Sequence, residues 1–274
     1  MSPRVSIIIP CYNSELFLEE TLDCLVEQSF QDWECLIVNN GSTDNTISIA
    51  QDFISRDPRF ITIEKEHGGI SSARNLGIDK ARGDFIQLLD SDDLLTSNKI
   101  SNEIHFLESH SEVDIVYSGA RYFYSDDPHR TRHIYSDSGW TGTVEIDRSD
   151  KTVLNTILKR NPFVTSAPLY RASVFKEIGF YDESLQYIED WDFQIRCALA
   201  GKVFHYRGYK PDQSTLIRLH ESNISKNREA VQIAKRKLME KHKNLFLLKS
   251  NEKRGVSIRD FVPPILLRFF RKFK

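Results

Sequence analysis

Short apolar runs alternate with helically spaced apolar positions through the first 120 residues. VSIIIP (5–10) is a run of β-branched residues, the pattern of a strand buried on both faces. Leu18, Leu22, Leu25 and Val26 then follow helical spacing, with Asn13 and Ser14 as candidate caps. WECLIVNN (33–40) predicts a second strand, and after the turn GSTDNT the positions Ile47, Ala50, Phe53 and Ile54 give a second helix face. FITIE (60–64) is a third strand, ISSARNLGIDKA (70–81) a helix behind Gly68-Gly69, and FIQLLD (85–90) a fourth strand that stops at SDD. A helix over 97–110 leads to DIVYSG (114–119). This order predicts an α/β fold with a mostly parallel central sheet and helices on both faces.

From 120 to 165 the pattern loses its period, which predicts an insertion over the sheet with short antiparallel strands. Helical spacing returns at 172–179 and at 190–201, the latter closing on Gly201. Residues 1–225 therefore read as one domain, followed over 226–274 by a basic helix (227–249) and an amphipathic tail. Charge sharpens that division. Residues 1–225 carry 22 Lys/Arg against 35 Asp/Glu, net −13, and residues 226–274 carry 15 against 4, net +11. The whole chain is near neutral at −2, which argues against a nucleic-acid partner. Cys11, Cys24, Cys35 and Cys197 form no CxxC pair and read as reduced, structural thiols. No apolar run is long enough to span a bilayer and the N-terminus lacks a cleavage pattern, so a cytoplasmic location is expected.

Ligands of an open parallel sheet bind at the carboxyl ends of its strands. Here those ends carry Pro10, Cys11, Tyr12 and Asn13, then Asn39, Asn40, Gly41 and Ser42, then Asp90, Ser91, Asp92 and Asp93. Asn and Asp also end strands simply because they favour turns. In DSDD, carboxylates at i and i+2 on a loop can converge on one hard cation whose remaining positions take water and phosphate oxygens. That pairing suggests a nucleoside diphosphate; Asp93 can instead be structural. A second acidic centre, IEDWDFQIRCALAGK (188–202), offers Asp190 or Glu189 as a general base, or merely as acids favoured at a helix N-terminus.

Taken in order, PCYN (10–13), NNGSTDNT (39–46), GGISSARNLGIDKARGDFIQLLDSDD (68–93) and EDWDFQIRCALAGK (189–202) resemble the family 2 inverting glycosyltransferases of the GT-A fold. TLIRLHESNIS (215–225) is similar to a His-containing segment of many members. The resemblance implies that Tyr12 stacks on the nucleobase while Pro10 shapes its loop, with Asn13 and Glu189 also on the substrate. It places Asn40 at the base edge, Arg74 at the nucleotide portion of the donor and Asp90 at the ribose. It makes Asp92 the ligand of a divalent cation (Mn2+ or Mg2+), with His220 approaching the diphosphate or the metal, and Asp190 the catalytic base. Members usually carry Asp-Asp-Gly-Ser where this chain has Asn39, Asn40, Gly41 and Ser42. Asparagine can still pair with uracil or thymine, but the lost charge weakens the inference of a UDP donor.

The expected reaction is a single displacement on a nucleotide-diphospho-sugar by a hydroxyl of a saccharide or lipid-linked acceptor, in cell-surface polysaccharide or glycolipid synthesis. A nucleotidyltransferase or methyltransferase would want a Gly-rich turn after the first strand, which PCYNSELF lacks. The alternative of another class is a non-catalytic sugar-nucleotide-binding or scaffold protein. DFVPPILLRFFRKFK (260–274) interleaves aromatics with four basic residues, which predicts a membrane-surface contact through 261–274 and a peripheral position at the inner face of the membrane. Folding of this tail onto its own domain, or onto a homodimer partner, is the competing reading.

Overall fold

Val5, Ile7 and Ile9 enter one apolar cluster and Ile8 enters another, so the first strand is buried on both faces, as its unbroken β-branched run predicts. The computed structural model describes residues 2–125, 127–132, 150–221 and 227–252. Elements follow in the order β1 (Val5–Cys11), α1 (Leu18–Val26), β2 (Trp33–Asn40), α2 (Thr46–Arg56), β3 (Phe60–Lys65), α3 (Ile70–Lys80), β4 (Phe85–Leu88), β5 (Leu94–Leu95), α4 (Lys99–Ser109) and β6 (Ile115–Tyr117). The second half contributes β7 (Ala120–Tyr124), β8 (Asp127–Arg132), α5 (Asp150–Ile157), β9 (Pro168–Arg171), α6 (Ala172–Ile178), α7 (Glu189–Leu199), β10 (Phe204–Tyr206), β11 (Thr215–Leu219), α8 (Arg228–Lys241) and α9 (Lys243–Glu252).

Seven strands form the central sheet in the order β10-β6-β9-β4-β1-β2-β3. Every neighbouring pair is parallel except those made by β9, which runs antiparallel between β4 and β6. One face is covered by α1, α2 and α4 through Leu18, Leu22, Phe53, Ile104 and Leu107. The other is covered by α3, α6 and α7 through Ala73, Ile78, Phe175 and Phe193, and α8 adds Ala234 and Leu238 to that same cluster. Helix α3 lies very close to the sheet: a Cβ on Gly77 would stand 2.4 Å from Cγ2 of Ile8. Helix α7 ends where expected, because Gly201 takes φ +74, a conformation open to glycine without steric cost.

A smaller sheet, β5-β11-β7-β8, sits beside the DSDD loop. The expected antiparallel strands in the aperiodic region correspond to the hairpin β7–β8, whereas α5, β9, β10 and β11 were not foreseen. Two expectations need correction. Helix α1 starts behind Phe17 with no side-chain cap; Ser14 contributes its backbone carbonyl, which accepts from the amides of Phe17 and Leu18. The basic helix is two pieces, because the chain turns at His242, whose imidazole is bonded to Asp192. Residues 133–149 and the tail 253–274, including the segment read as a membrane contact, lie outside the described residues. Among the described residues no helix is long and apolar enough to cross a membrane. All four cysteines are free, and burial pushes the thiols of Cys11, Cys35 and Cys197 up, as structural thiols require.

Candidate active site

The parallel register brings the ends of β1, β2 and β4 side by side. Pro10 pairs with Val38 and Cys11 with Asn39, so the next residues leave the sheet together. Asn13 adopts φ +50, which asparagine tolerates better than most residues, and its loop is stitched to the one after β2. The Asn13 amide donates to Ser42 Oγ at 3.1 Å, and Asn13 Oδ1 accepts from the Thr43 amide at 2.9 Å. Tyr12 is left 50% exposed, its ring 4.2 Å from that of His67. An exposed aromatic at the mouth of the sheet is free to receive a planar ring. Asn40 is only 3% exposed and its side chain is committed to the chain itself. Its Oδ1 accepts from Lys65 Nζ at 2.9 Å and from the Gly68 amide at 3.0 Å, while its Nδ2 donates to the Gly69 carbonyl at 3.2 Å. One amide hydrogen is left for a ligand.

Arg74 is 2% exposed, not on the surface as its helical spacing alone would allow. Its guanidinium bridges Asp90, at 2.6 Å, and Glu189. Burial works against its charge, and the two carboxylates more than offset that cost and hold its pKa above the ordinary value. Helix α3, the end of β4 and the first turn of α7 are thereby joined by one charge cluster. Its outer member is Asp90, 32% exposed.

The DSDD loop divides into two roles. Asp93 is 4% exposed and accepts from Ser166 Oγ at 2.7 Å and from the Arg218 amide at 3.2 Å, so it is structural. Burial first, then Asp92 and Asp90, push its pKa well up. Asp92 stays partly exposed, and its Oδ2 is 2.7 Å from Nε2 of His220. The His220 ring rests on Phe17 at 4.7 Å. Arg218, buried between Phe17 and Phe123, donates from Nε to the Asp92 carbonyl at 2.9 Å and so holds the loop from behind. A carboxylate oxygen and an imidazole nitrogen on adjoining elements are a donor set that suits Mn2+, with substrate phosphate completing the sphere. Among the described residues no group of three or more such side chains is already gathered.

Asp190 stands in the first turn of α7, but it is not the cap; that residue is Ile188. Its Oδ2 accepts from Asn161 Nδ2 at 2.8 Å and from Thr165 Oγ1 at 3.3 Å, and its Oδ1 from the Trp191 amide at 2.7 Å. Burial and the neighbouring Glu189 push its pKa up to about 7, which is where a general base working near neutrality is most effective. Asn161, Thr165 and Ser166 escaped the sequence reading. They fall in NPFVTSAP, where no spacing announces a site, and the fold alone brings them to Asp190 and Asp93.

The mostly parallel sheet gathers acidic and aromatic residues at its strand ends, the place where open α/β sheets take their ligands. The model of glycosyl transferase family 2 matches residues 6–179, and the chain belongs to that family. It is 33% identical over 196 residues to the uncharacterised glycosyltransferase EpsJ of Bacillus subtilis, covering 71% of this chain and 56% of the relative. It is 32% identical over 210 residues to a PGL/p-HBAD biosynthesis glycosyltransferase of Mycobacterium bovis, covering 74% and 75%. The chain thus spans under two thirds of EpsJ. In fold it is similar to Staphylococcus aureus TarS 1-349 in complex with UDP-GlcNAc, with TM-score 0.63, 21% identity and coverage of 85% and 65%. It is also similar to the mannosyltransferase PcManGT of Pyrobaculum calidifontis in complex with GDP-Man and Mn2+, with TM-score 0.60, 19% identity and coverage of 97% and 68%. The fold is GT-A, as in these structures.

Proposed function

We propose that the chain is an inverting enzyme that moves a sugar from a nucleotide-diphospho-sugar, a UDP-sugar in the first instance, to an acceptor hydroxyl. Residues 1–225 form the transferase unit. The observation that carries this reading is the Asp190 carboxyl, fixed by three hydrogen bonds and pushed up to about 7 beside the Arg74–Asp90–Glu189 cluster. Asp190 takes the acceptor's O–H proton as the oxygen forms its bond to the anomeric carbon. The bond from that carbon to the diphosphate breaks, and the leaving group departs with the electron pair. Tyr12 receives the nucleobase, with Pro10 and Asn13 shaping its loop and Asn40 offering its remaining amide hydrogen. Asp90 faces the ribose, and Glu189 holds Arg74 toward the donor.

A divalent cation fits the donor set of Asp92 and His220. When bound it would neutralise charge on the departing diphosphate. The acceptor is a saccharide or lipid-linked saccharide of a cell-surface polymer or glycolipid, with the basic region 226–274 bringing the chain to an anionic membrane face. Release of UDP from UDP-GlcNAc and related donors, measured with manganese, tests the assignment. Asp190→Asn is expected to keep UDP binding and lose UDP release by at least ~100-fold. Wild-type turnover by that variant would remove Asp190 from the role, and donor binding without hydrolysis by the native protein would favour a non-catalytic binding protein.

A further inference from the structure

The two ends of the Asn161 amide differ in their partners. Its Nδ2 donates to Asp190 Oδ2 at 2.8 Å, and its Oδ1 is buried without a partner among the described residues. An ionised carboxylate can only accept, which sets the amide's orientation when Asp190 is ionised. The residue stands between α5 and β9, and Pro162 follows it directly. Thr165, four residues on, adds a longer bond of 3.3 Å to the same carboxylate oxygen. Both Asp190 oxygens are therefore held, Oδ1 by its own helix and Oδ2 by the 161–165 segment. A buried, unmatched amide oxygen carries a desolvation cost unless a ligand's donor meets it.

We propose that Asn161 is a positioning residue for catalysis: its Nδ2–H holds the Asp190 carboxylate in place to take the acceptor's proton. This rests on the reading of Asp190 as the base. Other ionisable groups also reach Asp190. Glu189 adjoins it in α7, Arg74 faces it from α3, and the phenols of Tyr170 on β9 and Tyr181 interact with it. Glu189 opposes ionisation of Asp190, whereas Arg74 and the Asn161 bond favour it.

Two measurements on the full chain test the inference. In protein labelled with 13C at aspartate carboxyls, the Asp190 resonance is the one lost in Asp190→Asn. Its titration midpoint should rise by about one unit in Asn161→Ala and further in Asn161→Asp, where a like charge replaces the donor. Thr165→Val should move it less, in the same direction, and it stands in if the Asn161→Ala protein does not fold. UDP release by Asn161→Ala should then fall about tenfold at pH 6.5 and largely recover at pH 8.5, with the KM for donor unchanged. A residue that merely packed the fold would lower the rate at every pH without moving the midpoint. Unmoved midpoints in all three variants would overturn the proposal, even if Asp190→Asn is inactive. If instead the midpoints move but Asp190→Asn releases UDP normally, the base assignment fails and the positioning role fails with it.

Discussion

Nε2 of His242 lies 2.8 Å from Oδ1 of Asp192, a contact that ties the end of α8 to the first turn of α7, two residues beyond the candidate base. Asp192 is fully buried and also meets Lys241 at 2.9 Å and Arg196 at 2.8 Å. Burial alone would raise its pKa, but His242, Lys241 and Arg196 outweigh burial and bring it down to about 2. Lys241 reaches Asp182 as well, so the basic C-terminal segment braces the loop that leads into α7.

The sign of the resulting pH dependence follows from that depressed value. A carboxyl lower in the folded than in the unfolded state adds stability above its unfolded pKa of ~3.9, and this is lost as pH falls through its folded pKa. A difference of nearly two pH units corresponds to ~2.6 kcal/mol at neutrality. Urea unfolding of Asp192→Asn is expected to show a loss of about that size at pH 7, shrinking to roughly half near pH 3. A pH-independent difference would mean that the three partners contribute packing rather than charge.

Arg74 makes a different kind of demand. Removing one partner of a buried ion pair leaves the others uncompensated, typically at ~3–5 kcal/mol. Arg74→Met is expected to destabilise the fold by that order and to abolish UDP binding. Adding Glu189→Gln should restore much of the stability, since a lone buried carboxylate is removed, without restoring binding. If the single variant is as stable as wild type in thermal denaturation, the cluster is not the junction between α3, β4 and α7.

Helix α3 can also be displaced without touching a charge. A Cβ on Gly77 would stand 2.4 Å from Ile8 Cγ2 inside a filled core, so Gly77→Ala should cost ~1–3 kcal/mol by overpacking. Ile8→Ala opens that space at its own cost. The double variant should therefore be less destabilised than the two single losses added together, by ~1 kcal/mol in a double-mutant cycle. Additive losses would place the strain elsewhere.

The parallel half of the sheet was legible because its strands are buried on both faces, and such strands are written as continuous apolar runs. The antiparallel strand β9 was not, since PLYR has four residues, opens on proline and takes its burial from its neighbours β4 and β6. Site residues at strand ends announced themselves by position and type. Arg74 showed its chemistry but not its burial, because helical spacing cannot tell a surface arginine from one that meets Asp90 and Glu189 across the fold. Asn161 and Ser166 carry no local signal, and each acquires a role only from the aspartate that tertiary contacts place against it.

The pairing of His220 with Asp92 leads to the last prediction, which concerns metal. The carboxylate is 26% exposed and the imidazole 12%, so both reach the cleft while Phe17 and Arg218 hold their orientation. Imidazole nitrogen favours Mn2+ over Ca2+, which prefers an all-oxygen shell, so the two ions should separate in a turnover assay. Chelation with EDTA is expected to stop UDP release, excess Mn2+ to restore it, and Ca2+ to restore little. Asp92→Asn should raise the Mn2+ concentration needed for half-maximal turnover by at least ~10-fold, because a charged ligand is lost. His220→Ala keeps that charge but removes the nitrogen, so it should narrow the preference for Mn2+ over Mg2+ while leaving a metal requirement. Full turnover in excess EDTA would show that Asp92 and His220 serve each other as a hydrogen-bonded pair and leave the diphosphate's charge to the protein alone.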